Sequence, residues 1–162
     1  MMGTMDDQAP HPTGVVRSLA RWVASDKPVL EISEIHVQAD AGFEGDPRGR
    51  GKRGLTLLST RSWRDVCRDL GCDLPWWYRR ANVLIEGIDL PATIGRTLTL
   101  GPIELLVMGE TKPCGLMDQM HDGLRQALVP EGRGGVHGRV VKGGMLHVGD
   151  RVTLREHADG RQ

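Results

Sequence analysis

Aromatic residues make up only 4% of this 162-residue chain, and it carries just three cysteines. An odd number of thiols suits a reducing compartment better than a secreted disulfide framework. No CxxC pair and no Cys/His cluster of zinc spacing occurs. Net charge is lacking as well: 21 Lys and Arg balance 21 Asp and Glu. That excludes a general binder of nucleic acid, whose signature is a basic chain, but leaves room for a small basic pocket taking one phosphate. No apolar run approaches the roughly 20 residues a membrane helix needs. The start, Met1 to Pro12, is polar and acidic, without the basic and apolar regions of a signal peptide. Residues 1–13 are therefore expected to form a disordered tail on a soluble, cytoplasmic protein, followed by one domain over 14–155 and a short tail over 156–162.

What the chain has in quantity is glycine, 22 residues, set between short apolar segments. Gly14 to Ala20 and Val29 to Val37 read as early strands, the second alternating Leu30 and Ile32 with Glu31 and Ser33. A glycine-laden loop from Gly42 to Gly54 opens into Leu55 to Leu58. A helix follows, capped by Ser59 or Thr60, with Trp63, Val66, Cys67 and Leu70 on one face and Gly71 as its stop. Leu74 to Tyr78 is an aromatic cluster expected to pack on the core. Cys67 and Cys72 are expected to be ordinary packed or surface thiols. Asn82–Ile85, Thr97–Leu100 and Ile103–Met108 read as strands, and Asp122 to Val129 as a short helix. Val136–Lys142, a Gly143-Gly144 turn and Met145–Leu154 read as closing strands. Many short strands broken by turn residues predict a mainly β barrel or sandwich with a few short helices.

The sharpest chemical feature is Gly109-Glu110-Thr111-Lys112-Pro113-Cys114-Gly115, directly after an apolar strand. Lys112 lies two residues from the thiol, and a nearby cation favours the thiolate. Pro113 fixes its own backbone while Gly115 permits close approach. Such a thiolate can attack an electrophile, carry a persulfide or ligate a soft metal, or the cysteine can be merely structural. Arg79 and Arg80 lead into a strand, where guanidinium forks suit a phosphate or carboxylate. Arg133-Gly134-Gly135 is a further loop whose backbone amides are candidates for an anion. His121 and His137 are read as ordinary histidines, with a role in proton transfer left open.

Taken in order, these segments resemble the MOSC family, the domain at the C-terminus of molybdenum cofactor sulfurases. The resemblance is carried by Gly42-Phe43-Glu44-Gly45-Asp46, by Lys52 to Ser59, by Arg80-Ala81-Asn82 with Glu86 to Leu90, and by Pro113-Cys114. It is completed by Gly134 to Gly144 with Val148-Gly149-Asp150, so it runs from Gly14 to Leu154. Ala81 stands where relatives often have Pro or Arg. His137-Gly138 stands where they often have an aromatic residue or Ala.

The resemblance implies a MOSC-type, PK-barrel-like β-barrel and a molybdenum cofactor (molybdopterin). Cys114 would be the catalytic residue, as the thiolate on molybdenum or as a sulfur carrier. Arg80, Asn82, Thr111, Lys112, Lys52, Arg53 and Arg133 are the candidate cofactor contacts. The expected activity is oxidoreductase chemistry on a small N-hydroxylated substrate, with delivery of sulfur or cofactor through a Cys114 persulfide as the alternative. No GxGxxG loop follows a strand, and three scattered cysteines are too few for a four-thiolate cluster. Electrons would therefore come from an external flavin or iron–sulfur protein.

Overall fold

The computed structural model describes residues 13–22, 29–46 and 51–155. The expected terminal tails, apart from Thr13, lie outside the described residues. Ten strands dominate: β1 (Thr13–Trp22), β2 (Val29–Ile32), β3 (Glu34–Val37), β4 (Leu55–Ser59), β5 (Val83–Glu86), β6 (Thr97–Leu100), β7 (Ile103–Glu110), β8 (Val136–Lys142), β9 (Gly144–His147) and β10 (Arg151–Leu154). The helices are α1 (Thr60–Leu70), α2 (Leu116–Met120) and α3 (Leu124–Leu128), with a 3-10 turn at Trp76–Arg79.

Strand pairing runs β10-β6-β7-β8-β4-β5-β1, and β1 pairs again with β10, so seven strands close into a barrel. Closure removes the exposed edges that an open sheet would leave. Among the described strands only β4 and β5 pair in parallel, and α1 and the Trp76–Arg79 turn make the connection between them. Val16, Leu57, Ile85, Leu105, Val136 and Val152 are fully buried members of the barrel interior. Alternation along β4 puts Leu55 and Leu57 in that cluster and Leu58 in a second one outside the barrel. There Leu58 joins Trp63 and Val66 of α1, Trp76, Met117 of α2, and Leu124 and Leu128 of α3.

Helix α1 forms where its signals place it. Ser59 Oγ accepts from Ser62 N at 3.0 Å, and Gly71 takes a left-handed conformation (φ 71) with its amide donating to Arg68 O. The aromatic cluster packs as expected: Trp76 is buried, Trp77 and Tyr78 are partly buried against the same layer, and Trp76 Nε1 donates to Glu31 at 2.8 Å.

Two expectations are corrected. Val29 to Val37 is two strands, because β2 pairs with β1 whereas β3 pairs with β9. Ser33 marks the break, and its carbonyl accepts from Val148 N at 2.9 Å. Met145 to Leu154 is likewise split into β9 and β10, at Gly149 with φ 96. Gly143-Gly144 is therefore not a hairpin between paired strands. A Cβ at Gly143 would collide with Val37 O, so glycine there lets β3 approach closely. Helix α2 had no strong sequence signal and was not anticipated. Among the described residues no helix is long and apolar enough to cross a membrane.

Candidate functional site

Three chain segments meet at one end of the barrel. The end of strand β7 leads into Thr111 to Cys114, the 3-10 turn delivers Arg79 and Arg80 before β5, and β4 with its approach delivers Thr56 and Arg53. Between them lies a cleft of about 240 Å³. Arg53, Arg79, Arg80 and Lys112 supply its cations; Thr56, Asn82 and Thr111 supply neutral polar groups; Leu116 and Met117 form an apolar side. Cys114 lines the cleft as a free, exposed thiol. Among the described residues no carboxylate belongs to the lining, so the cleft favours an anion.

The segment carrying Cys114 is fixed on both sides. Thr111 N donates to Gly135 O at 2.8 Å, which prolongs the β7–β8 ladder by one bond. Met117 N donates to Cys114 O at 2.9 Å, so α2 starts directly from the thiol-bearing residue. Thr111 Oγ1 lies 3.3 Å from His137 Nδ1 on β8. Burial, and then the charge of Arg53, hold the His137 pKa below its usual 6.5. A neutral imidazole can accept the threonine hydroxyl proton.

The expected contacts divide. Arg80, Thr111, Lys112 and Arg53 line the cleft with Cys114. Arg80 has φ 70 and its guanidinium sits over the Trp22 ring, 4.2 Å from the centroid. Asn82 also lines the cleft, but its amide is committed: Oδ1 accepts from Thr56 N at 3.0 Å and Nδ2 donates to Asp46 at 3.4 Å. Lys52 is exposed and outside the lining. Arg133 is elsewhere altogether. It is buried, and its Nη1 donates to Asp69 at 2.7 Å and to Ala127 O at 3.0 Å, which ties α1 to α3.

The loop after Arg133 does not form an anion cradle. The amides of Arg133 and Gly135 are spent on Pro130 O and Gly132 O. Its glycines serve close approach instead. A Cβ at Gly134 would strike Thr111 O, and one at Gly135 (φ 90) would strike Leu57 O. Similarly, Gly49 to Gly54 spells the letters of a dinucleotide loop, yet it runs into β4 and opens no helix.

Sequence reasoning missed Thr56, Leu116 and Met117, and it named Arg79 only together with Arg80 as a fork for a phosphate or carboxylate. The Arg79-Arg80 pair was visible, but nothing local says that Arg79 is 5% exposed while Arg80 is only half-buried. Cys72 and His121 meet away from the cleft lining, with Sγ 3.7 Å from Nε2.

Comparison with known proteins agrees with this fold. The YuaD protein of Bacillus subtilis superimposes with a TM-score of 0.77 at 18% identity, over 90% of this chain and 97% of that one. YiiM of Escherichia coli gives 0.66 at 16% identity, over 93% and 71% of the two chains. YiiM of Geobacillus stearothermophilus gives 0.65 at 14%, over 92% and 78%. At such identities these likenesses establish the barrel fold alone. No curated protein matches the chain. The sequence model of the MOSC domain matches residues 24–153. The chain belongs to the MOSC domain family, which is associated with binding of the molybdenum cofactor.

Proposed function

We propose that this chain binds a molybdenum cofactor in the cleft and reduces small N-hydroxylated compounds, with Cys114 as the protein's ligand to the metal. The observation that carries the proposal is an exposed thiol lining a cleft to which the described residues bring four cations and no carboxylate. The donor set fits the group. A thiolate is a soft ligand suited to such a metal, and the cations suit the cofactor's phosphate. Among the described residues no three His, Cys, Asp or Glu side chains are placed to hold a bare metal ion. A single thiol therefore suits a metal that brings its other donors with it.

Arg80, Arg53 and Lys112 would hold the phosphate, and Thr111 would bind through its hydroxyl. Asn82 would keep the cleft floor in place, because its amide joins Thr56 to Asp46. The bound cofactor supplies the two-electron chemistry that converts an N-hydroxyl group to N–H and water, using two protons and two external electrons. The chain's own share is to bind, orient and exclude competing ligands. A separate flavin or iron–sulfur protein is the electron donor in this reading.

The exposure of Cys114 also favours a second reading, in which the thiol accepts a sulfane sulfur and passes it on as a persulfide. Cofactor-loaded protein separates the two. NADH or NADPH alone should give no turnover of an N-hydroxylated base, and dithionite with a viologen dye should give turnover. Cys114→Ser should abolish that turnover and leave the fold intact, whereas Cys67→Ser should leave it unchanged. Turnover by Cys114→Ser would overturn the ligand role. Inertness of metal-loaded protein with viologen would favour the carrier.

A further inference from the structure

Arg79 is the one cleft cation that is almost wholly enclosed, at 5% exposure. Each of its three nitrogens donates one hydrogen bond, two to the segment carrying Cys114 and one to the turn before β8. Nε donates to Gly134 O at 2.9 Å, Nη2 to Thr111 O at 2.9 Å, and Nη1 to Met117 Sδ at 3.5 Å. Thr111 and Met117 bracket Cys114, three residues before it and three after. Gly134 opens the approach to β8, and any Cβ there would crowd Arg79 Nη2 as well as Thr111 O. Among the described residues no carboxylate pairs with Arg79.

We propose that Arg79 is the positioning residue for Cys114: its planar fork clamps both ends of the 111–117 segment to the turn before β8 and so sets where the thiol stands in the cleft. The claim holds for whichever chemistry Cys114 performs and does not depend on the cofactor. Enclosing a guanidinium without a carboxylate is costly, and a fold that does so needs compensation from well-placed acceptors. The two carbonyls and the thioether supply it. Burial pulls the Arg79 pKa down to about 10, opposed by the anionic form of Cys114 and reinforced by the charge of Arg53. A lysine would keep the charge but offers a single nitrogen where the fork places two parallel N–H groups on two carbonyls.

The test uses protein without cofactor, so its failure is distinct from failure of the functional proposal. Amide hydrogen exchange is followed at Thr111 and Met117, whose N–H groups close the segment at either end, together with the rate of Cys114 alkylation by iodoacetamide. In Arg79→Lys these two amides should exchange at least tenfold faster while the barrel amides keep their protection. Cys114 alkylation should change by more than threefold relative to Cys72. Arg133→Met, which removes the other buried arginine, should leave the segment's protection relative to the barrel unchanged. Unchanged protection at 111–117 in folded Arg79→Lys would overturn the proposal, as would equal loosening in Arg133→Met. Should the Arg79 variants not fold, the wild-type protein decides by NMR. The Arg79 Nε–H should exchange slowly and show coupling across the hydrogen bond to the Gly134 carbonyl; exchange as fast as an exposed arginine's would refute the clamp.

Discussion

Arg79 and Arg133 are both buried arginines, at 5% and 8% exposure, yet they are partnered in different ways. Arg133 meets a carboxylate, Asp69, which lies on α1 and is half exposed to water. The pair holds the Asp69 pKa below its ordinary value, chiefly through the hydrogen bond from Arg133. Arg79 meets two carbonyls and a sulfur, and no carboxylate among the described residues. The first arrangement fastens helices to the outside of a barrel. The second fastens a reactive loop and leaves positive charge facing the cleft. The same residue type, equally buried, thus serves architecture in one place and the site in the other, and the identity of its partners decides which.

The largest expected effect lies at the turn that both arginines flank. Gly135→Ala places a side chain at φ 90 against Leu57 O. It should cost at least ~2 kcal/mol from backbone strain and steric conflict, read as a lower midpoint in denaturant. Next comes Asn82→Ala, which strips Thr56 N of its partner. A buried donor left unpaired costs about 1–3 kcal/mol, and cofactor retention should fall with it. Arg80→Ala should cost the apo fold about 0.5–1 kcal/mol through loss of the cation–π contact with Trp22. It should weaken cofactor phosphate binding by about 1.5–3 kcal/mol, the value of a hydrogen bond to a charged group, read as lower occupancy. Unchanged occupancy would move the phosphate towards Arg53 or Lys112.

The smallest effect concerns pH. The folded His137 pKa lies below 6.5, chiefly through burial. Above pH 6.5 the ring is neutral in both the folded and unfolded states and contributes nothing to the pH dependence. As pH falls below 6.5 the unfolded chain takes up the proton first, so stability is lost until the folded pKa is reached. Melting temperature should decline across that window, and His137→Gln should flatten the decline without abolishing it, since other groups titrate there too.

Much of the fold could be read locally. The Ser59 cap, the Trp63–Val66–Cys67–Leu70 face and the Gly71 stop specify α1 without reference to anything distant. Strands β6 and β8 carry their own boundaries in Gly101 and Gly143. What escaped was non-local. The alternation of Leu30 and Ile32 changes phase at Ser33-Glu34 to Ile35 and Val37, which marks the break locally, but the two halves pair with strands from opposite ends of the chain. Periodicity reports faces and is silent about partners. The cleft divides along the same line. The placing of Cys114 just past a strand was legible in its loop. That Arg133 is taken by Asp69, or that Gly134-Gly135 admits Thr111 O and Leu57 O, depends on segments that meet only in the folded barrel.

The central claim is that the cleft around Cys114 holds a molybdenum cofactor, and its direct test is compositional. Protein is purified from a host competent in cofactor synthesis, and molybdenum and pterin are measured for the wild type and for Cys114→Ser. The account predicts metal and pterin in equal amounts in the wild type, with loss or sharp reduction of the metal in the variant. Folded wild-type protein carrying neither metal nor pterin, or a variant that retains the full complement of molybdenum, would contradict it.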